Sequence, residues 1–147
     1  KTLYSLDEQL RRCVRQQERE WLKKSLTVEG DLDPVDYYGN EELVEHIWSN
    51  LLSNAIRFTP AGGQITVVLR RGEGEVTVSV SDTGIGMDEE TQRHIFDRFY
   101  RAAPYPDDRG NGLGLSIALA IVTAHKGKIF ASTKDEKSLQ ITAIFPL

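Results

Sequence analysis

Three stretches carry groups that could do chemistry together. The first is Asp82-Thr83-Gly84-Ile85-Gly86-Met87, which follows the alternating, β-branched run Glu75 to Ser81. A carboxylate at a strand end is placed to accept hydrogen bonds from a ligand, and Gly84 and Gly86 let the backbone turn sharply and approach that ligand. The second stretch holds Asn50, Asn54 and Arg57. Asparagine suits a helix interior poorly because its amide competes for backbone hydrogen bonds. Here two asparagines lie one turn apart on the same stripe, and Arg57 projects near the second. Their amide oxygens suit Mg²⁺, a hard cation that usually keeps waters and phosphate oxygens as its other ligands. The third stretch is Gly110-Asn111-Gly112-Leu113-Gly114-Leu115, directly ahead of a helical pattern. A glycine-rich loop entering a helix offers free N–H groups and the positive end of the helix dipole, which together suit a phosphate.

The elements that must position these groups follow from hydrophobic periodicity. Glu41 to Phe58 is the strongest helix: Leu43, Ile47, Leu51 and Ala55 recur every four residues, flanked by Val44, Trp48, Leu52 and Ile56. So wide an apolar face must lie against a sheet. Asn40 caps its start, and Thr59-Pro60 ends it. Gln64 to Arg71 and Glu75 to Ser81 alternate around Gly72-Glu73-Gly74 and predict a hairpin that delivers Asp82. Ahead of these, Lys1 to Leu6 reads as an edge strand, and an amphipathic helix capped by Asp7 runs to about Lys24. Ser25 to Glu29 and Val35 to Tyr38 read as short strands, separated by turn signals at Gly30-Asp31 and Asp33-Pro34. Asp88 to about His94 predicts a short helix. Ile95-Phe96-Asp97-Arg98-Phe99-Tyr100-Arg101 then places two Phe residues for core packing, with Arg98 and Arg101 between them. Ala102 to Arg109 has no apolar periodicity and reads as a loop. Ser116 to His125 predicts a helix that buries Leu119, Ile121 and Val122, and Lys128 to Thr133 with Leu139 to Phe145 a closing hairpin.

Composition narrows the function classes. The chain has 147 residues, 39% hydrophobic and 27% charged, which fits one globular domain with a sizeable core. A net charge of −4 argues against general nucleic-acid binding. No apolar run approaches the roughly 18 residues of a membrane span. Cys13 is the only cysteine, so no internal disulfide forms, and no Cys/His spacing suggests structural zinc. The first residue is Lys1 rather than Met, and the chain is expected to be a piece of a longer protein.

Taken together, the stretches resemble the signature boxes of sensor histidine kinases. Asn50 to Thr59 resembles the N box, Asp82 to Gly86 the G1 box, Ile95 to Arg101 the F box and Gly110 to Leu115 the G2 box. All four occur in the family's order and spacing, and the likeness runs from about Leu3 to Phe145. The resemblance is to the catalytic and ATP-binding domain of these kinases, in the GHKL superfamily. It implies the Bergerat fold, an α/β two-layer sandwich with a mixed sheet of about five strands and three helices on one face. It also implies roles by position. Asp82 accepts from the adenine amino group, with Gly84, Ile85, Gly86 and Met87 beside the base. Asn54 ligates Mg²⁺, Asn50 makes a second polar contact toward the metal, and Arg57 faces the phosphates with Phe58 next to it. Residues from about Tyr100 to Gly110, Arg101 among them, form a lid that Phe96 and Phe99 anchor, and either Arg98 or Arg101 compensates phosphate charge. Gly110, Asn111, Gly112, Leu113, Gly114 and Leu115 receive the phosphates.

The implied function is transfer of the γ-phosphoryl group of Mg-ATP to a His on the dimerisation domain of the parent kinase, with a response regulator as the downstream partner. The implied setting is the cytoplasm, with a parent of the kind commonly anchored in the cell membrane. Nucleic-acid or membrane contact is not expected of this domain, which alone should be a monomer. Phe58 stands where the family often has Tyr, so one hydroxyl contact is missing. His46, His94 and His125 all fall inside the nucleotide-binding domain, so the acceptor His is expected outside this chain. Hydrolytic members of the superfamily place a Glu general base one turn before the metal-binding Asn; here that position is Asn50, which cannot take a proton. The alternatives are a degenerate module that binds ATP without transferring phosphate and, disfavoured by Asn50, an ATPase.

Overall fold

The computed structural model describes residues 1–84, 89–97, 114–134 and 138–147, with backbone alone at Lys134. In chain order the elements are β1 (Thr2–Ser5), α1 (Leu6–Gln16), α2 (Glu18–Lys23), β2 (Thr27–Leu32), β3 (Asp36–Gly39), α3 (Glu41–Phe58), β4 (Gln64–Arg71), β5 (Glu75–Asp82), α4 (Glu89–His94), α5 (Gly114–Ala124), β6 (Lys128–Lys134) and β7 (Ser138–Pro146). Five strands form a mixed sheet in the order β2-β4-β5-β7-β6, and β1 pairs with β3 in a separate ribbon. Among the described residues β2 and β4 run parallel, and the other pairs of the larger sheet are antiparallel. The architecture is the α/β two-layer sandwich expected from the sequence.

The period-2 pattern decides which sheet face is covered. Ile65, Val67 and Leu69 on β4, Val76, Val78 and Val80 on β5, and Leu139, Ile141, Ala143 and Phe145 on β7 are all buried, and they join one core with α1, α3 and α5. Val44, Ile47, Trp48, Leu51 and Leu52 of α3 fill the space above them. The Trp48 ring meets Phe145 edge-on, with centroids 6.0 Å apart. The β4–β5 connection needs glycine at one point, since Gly74 has φ of 73°, and Gly72 N–H closes the turn on the Glu75 carbonyl.

Helix α1 is fastened to α3 by polar groups. Gln9, fully buried, accepts from Trp48 Nε1 at 2.7 Å and donates to the Glu41 carbonyl at 2.8 Å. His125, at the end of α5, is fixed as one tautomer: Nδ1 faces the Ile121 carbonyl at 2.9 Å, so it holds the proton, and Nε2 accepts from Asn40 N–H. Asn40 in turn caps α3 through Leu43 N–H, as expected.

Several expectations need correction. The cap of α1 is Ser5, whose hydroxyl accepts from Glu8 N–H, and not Asp7. The single helix expected to reach Lys24 is broken at Gln17, where Trp21 folds back and donates to the Val14 carbonyl. Gly30-Asp31 is not a turn, because β2 runs on to Leu32 along β4. Leu43 and Leu119 are exposed, lying on the solvent side of their helices.

Asp7 instead anchors the ribbon. Burial opposes its ionisation, but the Val35 N–H, the Ser5 hydroxyl and Arg11 outweigh that and hold the carboxyl below its usual range. A lowered folded pKa gives stability that is full above the unfolded value and is lost as pH falls through the folded one. Asp7→Asn is therefore expected to be less stable than the native chain at neutral pH, with the gap closing in acid. Urea denaturation across pH checks this; a pH-independent gap would contradict the assignment.

Candidate functional site

The C-terminal half of α3 is the hub. Its apolar side is fixed in the core, so Asn50, Asn54 and Arg57 emerge along one edge of the helix. Asn54 is buried, 3% exposed, and its Oδ1 accepts from Arg57 Nη2 at 3.2 Å. The guanidinium also lies over the Phe58 ring, 5.4 Å from its centroid. Asn54 Nδ2 is buried with no hydrogen-bond partner among the described residues. An orphaned buried amide is costly, and such a group points to a ligand or water that would pair it.

Asn50 reaches across to α5. Its Nδ2 donates to the Gly114 carbonyl at 3.0 Å, and a methyl carbon placed on Gly114 would stand 3.8 Å from Asn50 Oδ1. The second and third stretches of the sequence, far apart along the chain, thus meet in one hydrogen bond. The first stretch arrives from the other side. The Phe58 carbonyl at the end of α3 sits so close to Gly84 that a methyl carbon there would be 2.8 Å from it, and equally close to Asp82 Oδ1. Contacts that short force a shift, so glycine is required at position 84.

Asp82 ends β5 with 5% exposure. Gly84 N–H donates to its Oδ1 at 2.8 Å, and Leu139 N–H to the same oxygen at 3.4 Å. Burial pushes the carboxyl above its usual range, and the two backbone donors offset part of that rise. Thr83 locks the turn, with its Oγ1 accepting from Gln64 N–H at 2.9 Å. Neither Leu139 nor Thr83 was marked as a site residue by its place in the sequence. Leu139 enters only because β7 pairs beside β5, a long-range contact without a local signal. Leu115 is buried in the core at the start of α5. His46 and His94 are exposed and His125 is structural. Phe96 packs against the core, as expected. Ile85, Gly86, Met87, Arg98, Phe99, Tyr100, Arg101, Gly110, Asn111, Gly112 and Leu113 lie outside the described residues.

The profile of the histidine kinase-, DNA gyrase B- and HSP90-like ATPases matches residues 39–147, which include every one of these groups. This chain belongs to that family. Within it, the relatives are of the sensor-kinase type. The heme sensor protein HssS of Staphylococcus saprophyticus is 34% identical over 140 residues, covering 95% of this chain and 30% of its own length. The adaptive-response sensory kinase SasA of Microcystis aeruginosa is 46% identical over 104 residues, covering 70% of this chain and 27% of its own. The chain thus spans about a third of the length of these relatives or less. Among solved structures, the catalytic domain of histidine kinase ThkA superposes with a TM-score of 0.88 at 26% identity, covering 99% of this chain and 94% of that one. ThkA solved with the response regulator TrrA gives a TM-score of 0.84 at 24% identity, covering 99% and 41%.

A catalytic domain of the sensor histidine kinase class, with the α/β sandwich of the GHKL superfamily, is what these likenesses establish. No helix among the described residues is long and apolar enough to cross a membrane.

The buried carboxylate at Asp82 carries a stability cost. Because its folded pKa is raised, the penalty grows as pH climbs from the unfolded carboxylate value through the folded one and stays constant above it. Asp82→Asn, which keeps an acceptor oxygen for Gly84, should therefore be more stable than the native chain at neutral pH and converge with it in acid. Thermal melts at a series of pH values test this; a destabilised variant at neutral pH would contradict it.

Proposed function

We propose that residues 1–147 form a single ATP-binding catalytic domain that transfers the γ-phosphoryl group of ATP to a His on the dimerisation domain of its parent sensor kinase. The observation that carries this reading is the convergence on α3: Asn50 holds Gly114, while the Phe58 carbonyl abuts Gly84 beside Asp82. One helix thereby faces both a buried carboxylate suited to a base-edge amino group and the start of a helix suited to phosphates.

In this reading Asp82 takes the adenine amino group, with Ile85, Gly86 and Met87 beside the base, and so selects adenine over guanine, whose carbonyl would face the carboxylate. Arg57 neutralises phosphate charge, with Phe58 supporting it by its ring. Gly110 to Leu115 receive the phosphates, with Phe99 anchoring the lid that Tyr100 and Arg101 begin. The residues also fit Mg²⁺. Among the described residues no group of three or more His, Cys, Asp or Glu could hold a metal, so a cation here would depend on amide and phosphate oxygens, which Mg²⁺ accepts. Asn54 and Asn50 would hold it, and it would supply charge neutralisation along the phosphates. Asn54 Oδ1 is engaged by Arg57, so that guanidinium would have to yield the oxygen.

Transfer is favoured over hydrolysis by the chemistry of position 50. The bond to Gly114 needs a donor, which an amide supplies and a carboxylate does not. No general base from this chain is needed for the transfer: the lone pair of an imidazole nitrogen of the acceptor His forms the bond to phosphorus as the bond to the bridging oxygen breaks and ADP leaves, the proton on the other imidazole nitrogen passes to solvent, and positioning with charge neutralisation supplies most of the catalysis. The acceptor-His dimerisation domain and a response regulator are the partners of such a domain, and the parent of this domain would act in two-component signalling from the cytoplasmic side of a membrane or from the cytoplasm.

Mixing this chain with Mg-ATP and the separately prepared dimerisation domain of its parent should yield an acid-labile phospho-His. Asp82→Asn should weaken Mg-ATP binding by about 10- to 100-fold, the worth of a hydrogen bond to a buried charge. Asn54→Ala should bind ATP with no dependence on Mg²⁺. Unchanged affinity in the first variant, or retained Mg²⁺ dependence in the second, would overturn the corresponding role.

A further inference from the structure

We infer that Lys24, at the end of α2, is a positioning residue for the phosphate end of the site. Its Nζ donates to the Ile56 carbonyl at 2.7 Å and to the Arg57 carbonyl at 3.3 Å. These belong to the last turn of α3, where carbonyls have no partner within the helix and where a cation is favoured by the helix dipole. The neighbouring carbonyls are accounted for as well. That of Ala55 accepts from the Thr59 hydroxyl at 2.6 Å and from Thr59 N–H at 3.0 Å, and that of Phe58 is pressed against Gly84. Lys24 therefore supplies the donors for the two carbonyls between them, on the residue that carries the guanidinium and the one before it.

The backbone of Lys24 extends the same fastening. Its carbonyl accepts from Gly62 N–H at 2.9 Å, and Thr27 N–H donates to Gly63 at 3.0 Å, so the loop after α3 is stitched to the α2–β2 connection. Gly63 in turn lies against Thr83, because a methyl carbon placed on it would stand 2.9 Å from Thr83 Oγ1. The α2 end, the last turn of α3 and the turn after Asp82 thus form one continuous contact chain. The hydrogen bonds that Lys24 Nζ makes to α3 are to backbone carbonyls. It acts through the angle at which α3 presents Arg57 and Asn54.

The consequence is selective. Losing the ammonium should loosen the last turn of α3 while leaving Asp82, held by Gly84 and Leu139, in place. This rests on the proposed nucleotide site, and the test separates the two. Mg-ADP and adenosine are titrated by calorimetry into the native chain, Lys24→Met and Lys24→Arg. We expect Lys24→Met to lose about tenfold in Mg-ADP affinity, the worth of roughly one hydrogen bond to phosphate, with adenosine affinity unchanged and Lys24→Arg largely restoring Mg-ADP. If Lys24→Met lowers both ligands equally, or neither, the positioning role is wrong even though the site stands. If the native chain binds neither ligand, the site itself is wrong. Should Lys24→Met not fold, the role is read from Lys24→Arg and Lys24→Gln by the shift of the Asn54 side-chain amide resonances in the nucleotide-free protein. Resonances identical to the native ones in both variants would overturn it.

Discussion

A helix can bury only part of its circumference against a sheet, and α3 divides its own between core and chemistry. Val44, Ile47, Trp48, Leu51 and Leu52 are committed to the interior, and this fixes the rotation of the helix about its axis. Once that rotation is fixed, Asn50, Asn54 and Arg57 can emerge along only one edge. A one-residue slip in the apolar pattern would turn them by about 100° and scatter the site. The remaining fold serves this placement. β4 and β5 bring Asp82 and Gly84 to the Phe58 carbonyl, α5 starts where Asn50 can bind it, and α1 holds the far side through the fully buried Gln9.

The site lies where three distant parts of the chain meet, and it retains local disadvantages that the core offsets. Asp82 is a carboxylate withdrawn from water and held by two backbone donors, and Asn54 keeps a buried amide nitrogen without a partner among the described residues. Both features would be removed by a sequence chosen for stability alone. Their presence together, on two elements that touch, supports the proposed reading of this edge as a binding site. Family membership adds the class of chemistry, and the proposal of transfer over hydrolysis rests on the identity of residue 50.

Much of this was legible in the amino-acid sequence because the informative signals are local. The apolar period of α3, the cap at Asn40, the hairpin at Gly72 to Gly74 and the strand that ends at Asp82 each depend on neighbours a few residues away. Arg57 beside Asn54 follows from helix geometry alone. What was not legible depends on tertiary contact. Ser5 rather than Asp7 caps α1, because the Asp7 carboxylate is drawn away by Val35 N–H from a distant strand. The break at Gln17 depends on Trp21 folding back, and continuation of β2 through Gly30-Asp31 depends on a parallel neighbour whose hydrogen bonds outweigh a weak turn preference. Leu43 and Leu119 fit the apolar period but face solvent, since a period gives the stripe and not how far the opposing layer extends. Lys24 looks like any cation at a helix end until the carbonyls of α3 are placed beside it.

The central claim is that Asn54, Gly84 and Gly114 line one nucleotide site. It is tested most directly by titrating the isotopically labelled chain with a non-hydrolysable Mg-ATP analogue and following the Asn54 side-chain amide and the backbone amides of Gly84 and Gly114. The account predicts that all three shift with one common dissociation constant, and that a guanine analogue moves none of them at the same concentration. Shifts at only one of the three, or different dissociation constants for the base and phosphate ends, would contradict it.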